Sequence, residues 1–285
     1  MFNFAFAIDF ILLFDNILLI DLLLKYIFQL DNYRSFMIYI TGDTHGLRDV
    51  NKFESSYFQK TVNKKGNYLI ITGDTGITWN KEVMKKCLAL YNSMKCTVLF
   101  VDGNNDNFDI LEKFPVKKYC GGNVHQLASN VFHLMRGEIF DLNGISFLAF
   151  GGADSWDAPT RCATTRRIEG VSYWKKEQPT IDEFANALRN LKKNGGEVDF
   201  VLTHETISQI ANHFGSASYP TSKMLDKLFE NIKFKYWFCG HHHKNKSFKC
   251  GIKCMFDEFD CVDDYINLPR KKHKIDKELD QNLIW

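Results

Sequence analysis

Asn67-Tyr68-Leu69-Ile70-Ile71-Thr72-Gly73-Asp74 is an apolar, β-rich run that stops on a glycine and a carboxylate. Its length and its Leu and Ile content predict a buried strand, and the glycine marks the turn that ends it. The pattern recurs along the chain. Met37–Thr41 precedes Asp43-Thr44-His45, and Thr97–Val101 precedes Gly103-Asn104. Val198–Thr203 delivers His204, and Lys235–Cys239 delivers Gly240-His241-His242-His243. Helical spacing appears over Lys81–Ser93 (Val83, Cys87, Leu90, Met94) and over Thr180–Lys193, where Glu183 completes a capping box with Thr180. In between, Val131–Met135, Glu138–Leu142 and Ile145–Phe150 read as short strands, with Asn143-Gly144 as a hairpin turn. Ser247–Met255 reads as a last strand pair around Gly251. Strand–loop–helix alternation predicts an α/β fold with a parallel sheet covered by helices. Ligands of such sheets lie outside the carboxyl ends of the strands, where all of these polar motifs fall.

The motifs offer carboxylates, imidazoles and one amide oxygen, a set that suits hard or borderline divalent metals. Two such ions held roughly 3.5–4 Å apart can activate water and neutralise a phosphoryl group. Each motif alone has a plainer reading. Asp43 could cap a loop, Asp74 could cap a helix, Asn104 could be a turn residue, and His204 could be structural. Asp74 has two oxygens and could bridge two ions. Alternation puts His241 and His243 on one side and His242 on the other. Co-occurrence in order, each at a strand end, favours the metal reading.

Composition sets the bounds. A chain of 285 residues, 45% apolar and 25% charged, suits one large domain with a sizeable core. A net charge of +2 gives no pull toward nucleic acid or membrane, and the lysine pairs, such as Lys85-Lys86, Lys175-Lys176 and Lys192-Lys193, read as solvated faces. The eight scattered cysteines form no paired zinc pattern and read as reduced thiols of a cytoplasmic protein. Cys250 and Cys254 are the closest pair and read as packing residues. Residues 1–36 form a hydrophobic extension without the basic start or small-residue end of a secretory signal. Asp9, Asp15 and Asp21 interrupt any apolar run of the ~18 residues a membrane span requires. The extension therefore reads as a loosely docked segment, a peripheral helix or a membrane anchor. Met37 stands where the first strand opens, so a natural start there is the companion expectation. Residues 37–262 are expected to be the folded domain and 263–285 a charged tail, with Arg270–Lys274 solvated.

These motifs resemble those of the calcineurin-like metallophosphoesterases, which share Asp-x-His, Gly-Asp, Gly-Asn-His-Asp/Glu, a later His and Gly-His-x-His. The resemblance runs from Met37 to about Phe259. It implies a four-layer αββα sandwich of two mixed sheets flanked by helices. By the same resemblance Asp43, His45 and His243 would hold one metal ion, and Asn104, His204 and His241 the other, with Asp74 bridging. The implied cofactors are two divalent ions (Mn²⁺, Fe or Zn²⁺), with a bridging hydroxide as nucleophile. The wording around Gly151-Gly152-Ala153, Asp157, Arg167, Trp174, Glu177 and Pro179 resembles a bacterial and phage subgroup. One position departs from the pattern. Asn105 stands where the family has the His that serves the leaving group, and an amide donates a hydrogen bond but not a proton. His125 or His133 could supply that proton instead, though His133 lies inside an apolar strand and His125, His213 and His273 read as surface residues. Arg161, Arg166 and Arg167, in an irregular loop, are the candidate phosphate grips, alongside Asn104; the plainer reading is a solvated loop. Asn105 and Asp74 are the candidate catalytic residues. The resulting expectation is a phosphomonoesterase (phosphoproteins included) or phosphodiesterase. The competing class is a weakened relative acting as an interaction module; a nuclease is disfavoured by the charge.

Overall fold

Ile40 lies opposite Ile70, and Ile70 opposite Leu99, so the first three apolar runs form a parallel sheet in the order of the sequence. The computed structural model describes residues 36–217 and 219–274. All expectations for residues 1–35 and 275–285 lie outside them. β1 (Ile38–Thr41) and β2 (Tyr68–Ile71) are followed by helix α1 (Lys81–Asn92), capped by the Asn80 side chain, and by β3 (Thr97–Phe100). After the short α2 (Phe108–Leu111) come β4 (Val116–Tyr119), β5 (Gly122–Ala128) and β6 (Val131–Leu134). β7 (Ile139–Leu142) and β8 (Ile145–Phe150) open a second sheet. There follow α3 (Ile181–Lys193), β9 (Phe200–Thr203), α4 (Ser208–His213), α5 (Pro220–Asn231) and β10 (Tyr236–Cys239). β11 (Lys246–Phe248), β12 (Ile252–Cys254) and β13 (Asp260–Cys261) complete the order.

One sheet runs β13-β1-β2-β3-β6-β5-β4 and the other β11-β12-β10-β9-β8-β7. In each, four central parallel strands are flanked by antiparallel ones, so both sheets are mixed, as the fold resemblance implied. Every residue of β1, β8 and β9 is buried or nearly so at its sheet-central end, which requires cover on both faces. Alternation assigns the cover. Leu148, Phe150, Val201, Trp237 and Cys239 pack with Ala187 and Leu191 of α3 and with Leu225, Leu228 and Phe229 of α5. On the opposite face Phe147, Phe200 and Phe238 line up with ring centroids 5.3 and 6.1 Å apart.

Local signals explain the joins. Asn143 and Gly144 have φ of 56° and 85°, the two left-handed residues a tight hairpin needs. The Thr180–Glu183 capping box is formed. The Arg136-Gly137 break is different: it carries the chain from β6 in one sheet to β7 in the other. The β4–β5 hairpin was not anticipated, because β4 is an exposed edge strand written Val-Lys-Lys-Tyr, with lysines where a core strand has apolar residues.

Arg270, Lys271, Lys272 and Lys274 are exposed, as expected of a solvated segment, but the segment is tethered to the second sheet. Arg270 grips the carboxylate of Asp199 with Nε and Nη2 at 3.0 and 2.8 Å. Lys271 exchanges backbone hydrogen bonds with Phe234, and the His273 ring stacks on Phe234 at 4.2 Å. Asp199 is two percent exposed, and its charge is met by Arg270 from the tail together with Lys235 at 3.0 Å. His273 is thus half-buried rather than on the surface. All eight cysteines are free thiols, and Cys250 and Cys254 lie in the core. Among the described residues no helix is long and apolar enough to cross a membrane.

Candidate metal centre

The polar ends of five parallel strands meet between the two sheets' carboxyl edges. β1 carries Asp43 and His45, β2 carries Asp74, β3 carries Asn104, β9 carries His204, and β10 carries His241 and His243. The turns that aim them are strained. His45, Asp74, His241 and His243 have φ of 42°, 46°, 66° and 49°. A left-handed non-glycine residue costs on the order of 1–3 kcal/mol and persists where the surroundings over-determine it, typically at functional sites. Two motif glycines allow the close approach. A Cβ on Gly103 would lie 2.1 Å from Asp74 Oδ1, and one on Gly240 would lie 2.4 Å from Asp43 Oδ1.

Asp43, His45 and His243 offer ligand atoms within 4.8 Å of one another, and so do Asp43, Asp74 and His204. Asp43 Oδ2 is buried and makes no hydrogen bond, although His243 Nε2 and His45 Nε2 stand 3.2 and 3.8 Å away. Nitrogens gathered around an oxygen without hydrogen-bond geometry leave room for a shared cation. Asp74 Oδ2 is 3.5 Å from both His45 Nε2 and His204 Nε2, which places it between the two groups. Asn104 Oδ1 is 3.2 Å from His204 Nε2. His241 is set apart: its ring lies 5.0 Å from that of His204, and its Nε2 is 3.6 Å from Glu205 Oε2.

Neighbouring groups orient these side chains. His204 Nδ1 donates to the Thr72 carbonyl at 2.7 Å, so in the neutral ring the lone pair is on Nε2, facing Asp74 and Asn104. His45 Nδ1 bonds Asp49 Oδ2 at 2.7 Å, which turns Nε2 toward Asp43 and Asp74. Asn104 gives its Nδ2 hydrogen to Ser155 Oγ at 2.9 Å, and Ser155 gives its own to Glu177 Oε2 at 2.7 Å, leaving the Asn104 oxygen for the cluster. Lys52 caps the carbonyls of Gly42 and Asp43 at 2.9 Å each. Asp49, Glu205, Ser155 and Lys52 were not picked out from the sequence. Only Glu205 had a signal, an acidic residue directly after His204. Carboxylate partners of a metal-binding imidazole set its basicity. Asp49→Ala is accordingly expected to weaken Mn²⁺ affinity about 10–100-fold, read by calorimetric titration.

Charge in the cluster is tightly balanced. Burial opposes a charged His204 ring, but Asp74 and Asp43 overcome it and raise the ring to about 10. Burial likewise opposes His45, and Asp74, Asp43 and Asp49 raise it to about 9. Burial favours neutral Asp74, yet His204 and His45 hold it well below the usual carboxylate range. Burial keeps the His241 ring neutral, at about 4. Two acids with two protonated imidazoles are a site in which protons stand where cations could.

The remaining candidates divide. Asn105 donates its backbone N–H to Asp74 Oδ1 at 2.8 Å and its Nδ2 hydrogen to Oδ2 at 2.6 Å, and accepts from Arg167 Nη2 at 3.1 Å. Arg167 also pairs with Asp157 at 2.8 Å. Arg161 is turned away, bound to Asp154 at 2.5 Å and to the Ser155 carbonyl at 2.8 Å. Arg166 is exposed on the loop. His125 is buried rather than on the surface, its Nδ1 3.0 Å from that of His133, and His133 Nε2 is 3.0 Å from Asp102. Both His133 nitrogens are thus engaged away from the cluster, as part of a buried network with Arg136. His242 bonds Glu205 at 2.9 Å, and His213, half-buried, meets Lys246 at 2.6 Å.

A search of curated proteins found no match. Among solved structures, a phosphopantetheinyl hydrolase from Mycobacterium tuberculosis is similar at 12% identity with a TM-score of 0.36, covering 78% of this chain and 88% of that one. The calcineurin-like phosphoesterase family matches residues 36–245, from β1 through the strand end that carries His243. That match takes in every motif of the cluster, and on it the chain belongs to the calcineurin-like phosphoesterases, a family of metal-dependent phosphoester hydrolases.

Proposed function

We propose that the protein hydrolyses phosphate esters at a dinuclear centre held by Asp43, His45, Asp74, Asn104, His204, His241 and His243. The observation that carries this reading is the orphaned Asp43 Oδ2, faced by Nε2 of His243 and by Nε2 of His45, whose other ring nitrogen is already bonded to Asp49. When bound, divalent ions supply an activated water and neutralise phosphoryl charge. The chain's own residues do the rest. Asp74 sets the spacing of the two groups. Thr72 and Asp49 hold the imidazoles in the tautomer that presents Nε2. Asn105 carries no transferable proton, and its amide is committed to Asp74 on one side and Arg167 on the other. Its role is to position Arg167, whose guanidinium is the candidate phosphate grip that reaches Asp74 through Asn105. Without a general acid, worth roughly 10²–10⁴-fold, hydrolysis leans on esters whose alcohols leave readily. The thiols, none in a disulfide, support a cytoplasmic setting.

The test is reconstitution of the purified protein with Mn²⁺, Fe²⁺ or Zn²⁺, followed by hydrolysis of aryl phosphate monoesters and diesters. Metal-dependent turnover that falls steeply as the alcohol becomes more basic is expected. Rates equal to those of the chelator-treated protein on both substrates would remove the enzymatic reading in favour of an interaction module.

A further inference from the structure

A cavity of about 320 Å³ lies beside the cluster, walled by Trp79, Trp174, Val171, Asn80, Asn105 and Arg167. We propose that it is the subsite for the alcohol half of the substrate and that it selects a flat aromatic group. This rests on the phosphoesterase reading above. The size is at the low end for ligand sites, about 300–1,000 Å³, and suits one ring system. Two of its walls reach the cluster directly: Asn105 is bonded to Asp74 at 2.6 Å, and the Trp79 ring lies 6.4 Å from the His45 ring. Arg167 stands on the boundary with Nη2 on Asn105. A phosphoryl group at the cluster therefore directs its ester substituent into this cavity, along the Trp79 ring with the largely buried Trp174 as a further wall.

Both indoles are pinned before any ligand arrives. The Arg48 guanidinium sits 5.2 Å from the Trp79 ring centroid, and Trp174 Nε1 donates to Asp109 Oδ2 at 2.9 Å. A platform already held in place loses little freedom on binding. Indole faces favour offset stacking with a flat partner, and a saturated ring of equal carbon count cannot lie against them in the same way.

The probes are phenyl-, cyclohexyl- and methylphosphonate, tested on the Mn²⁺-loaded protein as competitive inhibitors and, independently of turnover, by quenching of indole fluorescence. Phenylphosphonate is expected to bind about tenfold tighter than cyclohexylphosphonate, the scale of one stacking contact. In Trp79→Leu that gap should close to within about twofold. Should this variant fail to fold, Val171→Asp on the exposed loop should weaken phenylphosphonate about tenfold and methylphosphonate far less. Adenosine 5′-monophosphate that competes as well as phenylphosphonate would identify the group as a nucleobase; weaker competition would identify a simple aryl group. Equal binding of all three phosphonates, or a phenyl preference that survives Trp79→Leu, overturns the subsite while leaving the enzyme intact. Absence of both phosphonate binding and Mn²⁺-dependent turnover is a distinct outcome, which removes the phosphoesterase reading and the subsite with it.

Discussion

Asp74→Asn is expected to abolish turnover to background, a fall of at least about 10²–10³-fold, the cost of removing one preorganised charge from such a site. The change is nearly isosteric, so the Asn105 backbone N–H can still meet an oxygen at the Oδ1 position. What disappears is the negative charge shared by His45 and His204, each 3.5 Å from Oδ2, together with the acceptor of the Asn105 Nδ2 hydrogen. The variant should also take up fewer than two metal ions per chain, measured by elemental analysis after dialysis. Unchanged circular dichroism would show that the loss is local. A variant that keeps both ions and its rate would sink the bridging role of Asp74.

The second large effect concerns protons. With His45 near 9 and His204 near 10, both rings carry a proton at pH 7 when no metal is bound. By the proposed assignment each ring serves a different ion, so filling both sites should release about two protons per chain, and each ion should bind about tenfold tighter per pH unit between roughly pH 7 and 9. Calorimetry in buffers of different ionisation heat counts them. The sign for stability follows. These two imidazoles have pKa values raised above the unfolded value of about 6.5, so their contribution is full below that pH. It is lost as pH rises through about 9 to 10. The metal-free protein should therefore melt at progressively lower temperature from pH 7 to pH 10, and the Mn²⁺-loaded protein should not. Release of fewer than one proton per chain would contradict the charge balance derived for the cluster.

Much of the fold could be read from the chain because its signals are local. Apolar runs ending in Gly-Asp or Gly-Asn marked β2 and β3, Asn143-Gly144 marked a hairpin, and Thr180 with Glu183 marked a helix start. What was silent depends on neighbours distant in sequence. The β4 strand shows its lysines to solvent, so it has no apolar signature. Arg270 looks like part of a charged tail until Asp199 is placed beneath it. For the site, residue types at strand ends were enough to nominate the cluster. The groups that orient it were not legible, because a Thr72 carbonyl or an Asp49 carboxylate acquires its role only when an imidazole is folded against it. Likewise His125 and His133 are eight residues apart in sequence, and only the antiparallel register of β5 and β6 turns them into a stacked pair.

The cluster draws Asp43, His45, Asp74 and Asn104 from one sheet and His204, His241 and His243 from the other. The His241 backbone, 198 residues after Asp43, donates a hydrogen bond to that carboxylate at 3.2 Å. No partial chain can offer the full set, so the centre is completed only once the two halves have docked. Contacts of such long sequence separation form late in folding. Cations bound as proposed would join the halves as a clasp, and their capture would report the moment the fold has closed.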